Sequence, residues 1–151
     1  MTVLNDVIAP EAVFADVPVT NKKSLIQFLA TSAASQWSVD SRMVADRLIE
    51  REKLGSTGFG GGVAIPHARL DGIDQVHGLF ARLTRPIDFA AVDDLPIDLV
   101  FLLLSPVEAG AEHLKALAHV SRALRDPART ARLRGAGSAD ALYALLTRDA
   151  G

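Results

Sequence analysis

An apolar run from Ile97 to Leu104, broken only by Asp98, lies between Pro96 and Pro106. Proline fixes φ and supplies no backbone donor, so each one punctuates whatever element it borders. A continuous apolar stretch this short, bounded in this way, reads as a β-strand buried on both faces. Such a strand needs a layer on each side of its sheet, which the rest of the chain must supply.

The remaining pattern supplies those layers. Leu4 to Ile8 reads as a short helical turn ending at Pro10, and Ala12 to Ala15 as a short strand. Asn21 is an N-cap for a helix through Ser35, with Leu25, Phe28 and Leu29 at helical spacing. Ser38 or Asp40 starts a second helix whose apolar side carries Val44, Leu48 and Leu54. Val63 to Ile65 and His77 to Leu83 read as strands, with a short extended piece near Ile87 to Phe89. Glu108 to Arg125 is the best-patterned helix, and two shorter ones follow near 127–134 and 138–147. The expected architecture is α/β: one domain over 1–151, a mixed β-sheet flanked by helices on both sides.

Composition narrows the chemistry. Net charge is −2 over 151 residues, with no basic run, which argues against a nucleic-acid partner or a charged membrane surface. There are no cysteines, so disulfides, thiolate metal sites and cysteine nucleophiles are excluded. No stretch approaches the roughly 18 apolar residues of a membrane span, and no basic leader opens the chain, so direct membrane insertion is not expected and a cytoplasmic location is. Aromatic residues are 5%, too few for base- or sugar-stacking platforms.

The segment Gly55-Ser56-Thr57-Gly58-Phe59-Gly60-Gly61-Gly62-Val63-Ala64-Ile65-Pro66-His67 carries the strongest chemical signal. Glycines permit close backbone approach and free N–H groups for an anion; the plain alternative is a tight connector. No lysine follows as in a phosphate-binding P-loop, and the segment runs from helix to strand, the wrong order for a dinucleotide fingerprint. His67, past a strand-ending proline, is expected at a strand tip. It is either a structural residue or a nucleophile toward phosphorus, for which neutral imidazole is well suited. The Ser56 and Thr57 hydroxyls, with backbone N–H groups nearby such as that of Gly58, could bind phosphoryl oxygens.

Two further residues have competing readings. On the helix over 108–125, Leu114, Leu117, Val120 and Leu124 form an apolar stripe that includes His113, whereas His119 faces water. From spacing alone His113 is a core histidine bonded to a backbone carbonyl; the sharper alternative sets it beside His67. Arg51, in Arg51-Glu52-Lys53, either complements the helix dipole or neutralises an incoming phosphoryl group. No zinc spacing of the H-E-x-x-H type exists, and Ser56 and Ser105 lack the G-x-S-x-G elbow of serine hydrolases. His77 carries no motif and is assigned no role.

The block from Glu50 to His67 resembles the active-site block of the fructose/mannitol-type enzyme IIA domains of the bacterial phosphotransferase system. Glu112-His113-Leu114-Lys115-Ala116-Leu117 resembles the second histidine block of that family. The opening Leu4 to Pro10 and Asn21-Lys22-Lys23 resemble its nitrogen-regulatory branch. The resemblance covers essentially the whole chain. It implies the type-2 IIA fold, His67 as phosphoryl acceptor through Nε2, and Arg51 and His113 as supporting residues. An HPr-like phosphocarrier protein is implied as donor, with no cofactor and no metal.

Three functions follow as expectations. One is a phosphoryl-carrier regulator whose phosphorylation state controls binding to target proteins such as kinases or transport regulators. That reading is favoured by a chain with no fused carrier, IIB or membrane segment. Another is a sugar-specific IIA that passes phosphate to a fructose or mannitol IIB. The third, from a different class, is a nonenzymatic anion sensor whose glycine loop binds phosphate without transfer.

Overall fold

A computed structural model describes residues 4–148; positions 1–3 and 149–151 of the expected domain lie outside the described residues. The apolar run forms strand β6 (Ile97–Pro106), and it is the organising element. Every position from Leu99 to Pro106 is buried. Successive side chains point to opposite faces, so both faces of β6 are covered, as the run demands.

Around β6 the sheet has six strands. On one side lies β5 (His77–Ile87), antiparallel to β6, and beyond it β1 (Ile8–Val17), parallel to β5. On the other side β3 (Val63–Ala64) and β4 (His67–Leu70) both pair parallel with β6, one after the other. A short β2 (Gly58–Gly60) pairs antiparallel with β3 and closes that edge. The helices are α1 (Leu4–Val7), α2 (Lys22–Trp37), α3 (Ser41–Lys53), α4 (Gly110–Leu124), α5 (Pro127–Gly135) and α6 (Ala139–Thr147). The architecture is a mixed six-stranded sheet with helices, as expected.

Local signals explain most boundaries. Asn21 caps α2 in a capping box with Ser24, and Asp40 caps α3 through the Arg42 amide. Asp126 and Ser138 cap α5 and α6, with Pro127 in the first turn of α5. Asp98, the one break in the apolar run, is held from outside by Arg134, with guanidinium–carboxylate distances of 2.9–3.2 Å.

Four expectations need correction. Pro10 does not end a helical turn; it lies inside β1, an edge strand with register shifts after Ile8, where a missing N–H is tolerated. The glycine segment is not a plain loop but includes β2, paired with β3. Gly62 (φ +80°) turns that hairpin, and a Cβ there would stand 2.5 Å from Arg134. Leu54 is the C-cap of α3 and 85% exposed rather than on the buried side. Helix α4 begins at Gly110, and its buried face is His113, Ala116, Val120 and Leu124, whereas Leu114 is 61% exposed. Small Ala116 holds a place on the buried face that leucine spacing alone had given to its neighbours.

Candidate functional site

Pro66 determines where His67 stands. It has no N–H, so it interrupts the pairing of β3 with β6, yet its carbonyl still accepts from the Leu103 amide at 3.0 Å. Pairing resumes at His67 opposite Leu103. His67 is therefore the first residue of β4 and not a free strand tip. Its side chain is half-buried beside the C-terminal turn of α3 and the first turns of α4.

Both ring nitrogens of His67 have partners. Nδ1 lies 2.8 Å from the Ile65 carbonyl, which can only accept, so Nδ1 carries the proton. Nε2 is left with a lone pair, and Arg51 Nε donates to it at 3.2 Å. A second nitrogen of Arg51, Nη1, donates to the Gly55 carbonyl at 3.0 Å. The His67 pKa lies below the ordinary value: burial lowers it most, the bond to Ile65 opposes that, Arg51 lowers it and Glu52 raises it. His67 is thus a neutral imidazole at neutral pH with its unprotonated nitrogen facing a guanidinium.

His113 stands beside it, ring centroids 5.5 Å apart and planes tilted by 50°. Its Nδ1 is 2.6 Å from Ser105 Oγ, on the buried β6. Among the described residues the Ser105 hydroxyl has this bond alone, and a buried hydroxyl hydrogen requires an acceptor. Ser105 therefore donates to Nδ1, and the His113 proton sits on Nε2. Burial, then the charges of His67 and Arg69, lower the His113 pKa to about 4. His113 is bonded to a hydroxyl instead of a backbone carbonyl, and it does meet His67.

The three residues open into a cleft of about 420 Å³, walled also by Arg47, Arg69, Leu54 and Leu114. The two leucines displaced from the expected core stripes line its mouth. A groove of about 450 Å³ between α2 and α3 is mainly apolar, with Lys22, Lys23 and Lys53 around it and no histidine. The chemistry selects the smaller cleft. Among the described residues no group of three His, Asp or Glu side chains could hold a metal ion. No described helix is long and apolar enough to cross a membrane.

Ser56, Thr57 and Gly58 are placed differently from expectation, since none of them lines the cleft. The Thr57 hydroxyl and amide both donate to the Glu52 carboxylate, the amide at 3.2–3.3 Å, and Thr57 is buried. Ser56 Oγ accepts from the Gly58 amide at 3.0 Å and lies 3.5 Å from the Phe89 carbonyl. Gly58 packs so closely on Ala91 that an added Cβ would meet it at 2.9 Å. The Thr57 hydroxyl is committed to Glu52, and Ser56 Oγ is turned toward the Gly58 amide and the Phe89 carbonyl.

Two residues escaped sequence reasoning. Ser105 had a signal: a lone hydroxyl in a run buried on both faces needs a polar partner. Glu52 had only the appearance of a solvated charge at a helix end. Its side chain is 7% exposed and pairs with Lys22 Nζ at 2.9 Å.

Residues 6–149 match the family described as phosphoenolpyruvate-dependent sugar phosphotransferase system, EIIA 2. The chain is 49% identical over 143 residues to a nitrogen regulatory protein of Bradyrhizobium diazoefficiens, covering 95% of this chain and 94% of that one. It superposes with a TM-score of 0.90 on the crystal structure of nitrogen regulatory protein IIA-Ntr from Neisseria meningitidis, at 35% identity, covering 95% and 99% of the two chains. It is also 40% identical over 115 residues to a fructose-specific EIIA component from Haloferax volcanii, covering 76% and 75%.

Proposed function

The chain belongs to the EIIA type-2 family of the phosphoenolpyruvate-dependent sugar phosphotransferase system, and from that premise we propose that His67 Nε2 accepts a phosphoryl group from an HPr-like carrier. The observation that carries this reading is the arrangement of the ring. Nδ1–H is held by the Ile65 carbonyl, which leaves Nε2 as the nucleophile in the open cleft beside Arg51.

The lone pair of Nε2 attacks phosphorus, and the P–N bond to the donor's imidazole breaks in line, its electron pair leaving with the donor. No proton transfer is required. His67 keeps its Nδ1 proton, and the Ile65 carbonyl stabilises the positive charge that builds on the ring. Arg51 releases Nε2 and turns its guanidinium to the phosphoryl oxygens, a match of planar donors to a charged acceptor. Neutral His113 presents Nε2–H as a further donor, locked by Ser105. Catalysis is then positioning and charge stabilisation.

Exposed Leu54 and Leu114 at the cleft mouth, amid Arg47 and Arg69, offer the surface on which the donor and later partners sit. Likeness to nitrogen regulatory proteins over 95% of the chain supports a regulatory role in the cytoplasm, in which phosphorylation alters binding to target proteins. The fructose-specific relative keeps a second reading alive, passage of phosphate to a sugar IIB.

Incubation with phosphoenolpyruvate, enzyme I and an HPr-like protein tests the proposal. Acid-labile, base-stable phosphate absent from His67→Ala is expected. A label that survives His67→Ala overturns the site, and phosphate that binds without covalent labelling returns the protein to an anion sensor. Onward transfer to a fructose IIB selects the sugar reading.

A further inference from the structure

We propose that the buried Glu52–Thr57 pair is a positioning device that sets the tautomer and the aim of His67, although neither residue touches the cleft. The inference rests on the proposed role of His67 and deepens it. Two chains of contacts start from this pair, and they end on the two nitrogens of the same imidazole.

The first chain passes through the hairpin. Thr57 gives its amide and its hydroxyl to the Glu52 carboxylate. Its own carbonyl accepts from the Ile65 amide at 3.0 Å. The Ile65 carbonyl, in turn, takes the Nδ1 proton of His67. A shift of Thr57 therefore moves the acceptor that decides which nitrogen is protonated.

The second chain passes through the end of α3. Arg51 precedes Glu52 in sequence and is held at its far end by the Gly55 carbonyl. Gly55 lies in the three-residue connection between Lys53 and Thr57, whose path is closed by the Gly55 amide on the Glu52 carbonyl at 3.1 Å. Fixing Thr57 to Glu52 fixes that connection, and with it the carbonyl that points Arg51 Nε at His67 Nε2.

Lys22 completes the frame. Its Nζ lies 2.9 Å from Glu52 and 3.2 Å from the Phe89 carbonyl, and it sits 4.2 Å from the centroid of the Phe89 ring. A carboxylate with a cation and two further donors is satisfied even when buried, whereas a partly deprived one is costly. The pair thus joins the start of α2, the end of α3 and the entry to β2 at one point. A tilt of the imidazole by a fraction of its own size is enough to slow an in-line transfer.

Three variants of the full chain test this, read by ¹⁵N correlation spectra of the histidine rings and by the rate of labelling from the HPr-like donor. Thr57→Val removes the hydroxyl and keeps the volume. We expect His67 to lose its single Nδ1–H tautomer and labelling to slow about tenfold, the scale of one hydrogen bond to a charged group. Thr57→Ser restores the hydroxyl and is expected to restore both readouts.

Glu52→Gln keeps the shape without the charge. His67 faces Arg51 from α3 and His113 from α4, with Arg69 on its own strand and Arg47 and Glu50 on the cleft wall. Loss of the Glu52 charge is expected to move the His67 titration to lower pH. Thr57→Val and Glu52→Gln proteins that keep the wild-type tautomer, titration and labelling rate overturn the proposal and leave the pair as a staple of the fold. The ring spectra need no phosphate transfer, so a wild-type protein that fails to label defeats the reading of His67 without deciding this one.

Discussion

Two histidines open strands on either side of β6 at neighbouring register positions: His67 begins β4 opposite Leu103, and His77 begins β5 opposite Leu104. Leu103 and Leu104 point to opposite faces, so the two imidazoles lie on opposite sides of one sheet end. His67 has both nitrogens engaged by polar groups and a second histidine beside it. His77 stacks on Trp37, centroids 4.8 Å apart and planes within 17°, and burial is the main cause of its lowered pKa, opposed by Asp74. Equivalent places in the fold therefore hold a histidine framed by polar groups and a packed ring. What separates them is the polar frame: Ile65, Arg51 and the Ser105–His113 pair on one face, an indole on the other.

The contrast can be broken by substitution. The largest effect is expected for His67→Ala, which should abolish covalent labelling by the phosphocarrier, while His77→Ala labels at the wild-type rate. Labelling lost in His77→Ala and kept in His67→Ala would reverse the assignment. Next comes Arg51→Ala, with labelling slowed about 10²-fold, the scale of a lost donor to a developing charge. Arg51→Lys should recover little, because a point charge cannot hold both the Gly55 carbonyl and a phosphoryl group.

His113→Ala is expected to slow labelling about tenfold and to lower stability by about 1–3 kcal/mol, because the buried Ser105 hydroxyl is left without its partner. Calorimetry on His113→Ala with and without Ser105→Ala checks the cause, since the double variant should regain part of the loss. Stability should also respond to acid through His113. Its native pKa, about 4, lies below the ordinary histidine value of 6.5, so the unfolded chain binds the proton more readily. This contribution is full above pH 6.5 and is lost as pH falls toward 4. A urea titration should show a shallower acid decline in His113→Ala than in the wild type. The smallest effect is His77→Phe, which keeps a ring on Trp37 and should shift stability by less than about 1 kcal/mol.

Much of this was legible in residues that act through the backbone. The apolar run between prolines marked the central strand, Asn21 marked one helix start and Ser38 or Asp40 the next, and Pro66-His67 marked the histidine proposed as nucleophile. Less legible was whatever depended on partners distant in sequence. Pro10 reads as a terminator until an edge position makes its missing donor harmless. Leu114 reads as core until Ala116 and His113 occupy the face against β6. Thr57 reads as an anion ligand until Glu52, five residues earlier, takes both its donors. Glu52 itself offered no pattern, because a charge becomes structural only when Lys22 and Thr57 arrive to satisfy it.

The ring of His67 offers the most direct test of the central claim. Protein carrying ¹⁵N-labelled histidine, phosphorylated by the HPr-like carrier, should show ³¹P coupling to Nε2 of His67 and a proton retained on Nδ1. Coupling to Nδ1, or to any nitrogen of His113 or His77, would contradict the account.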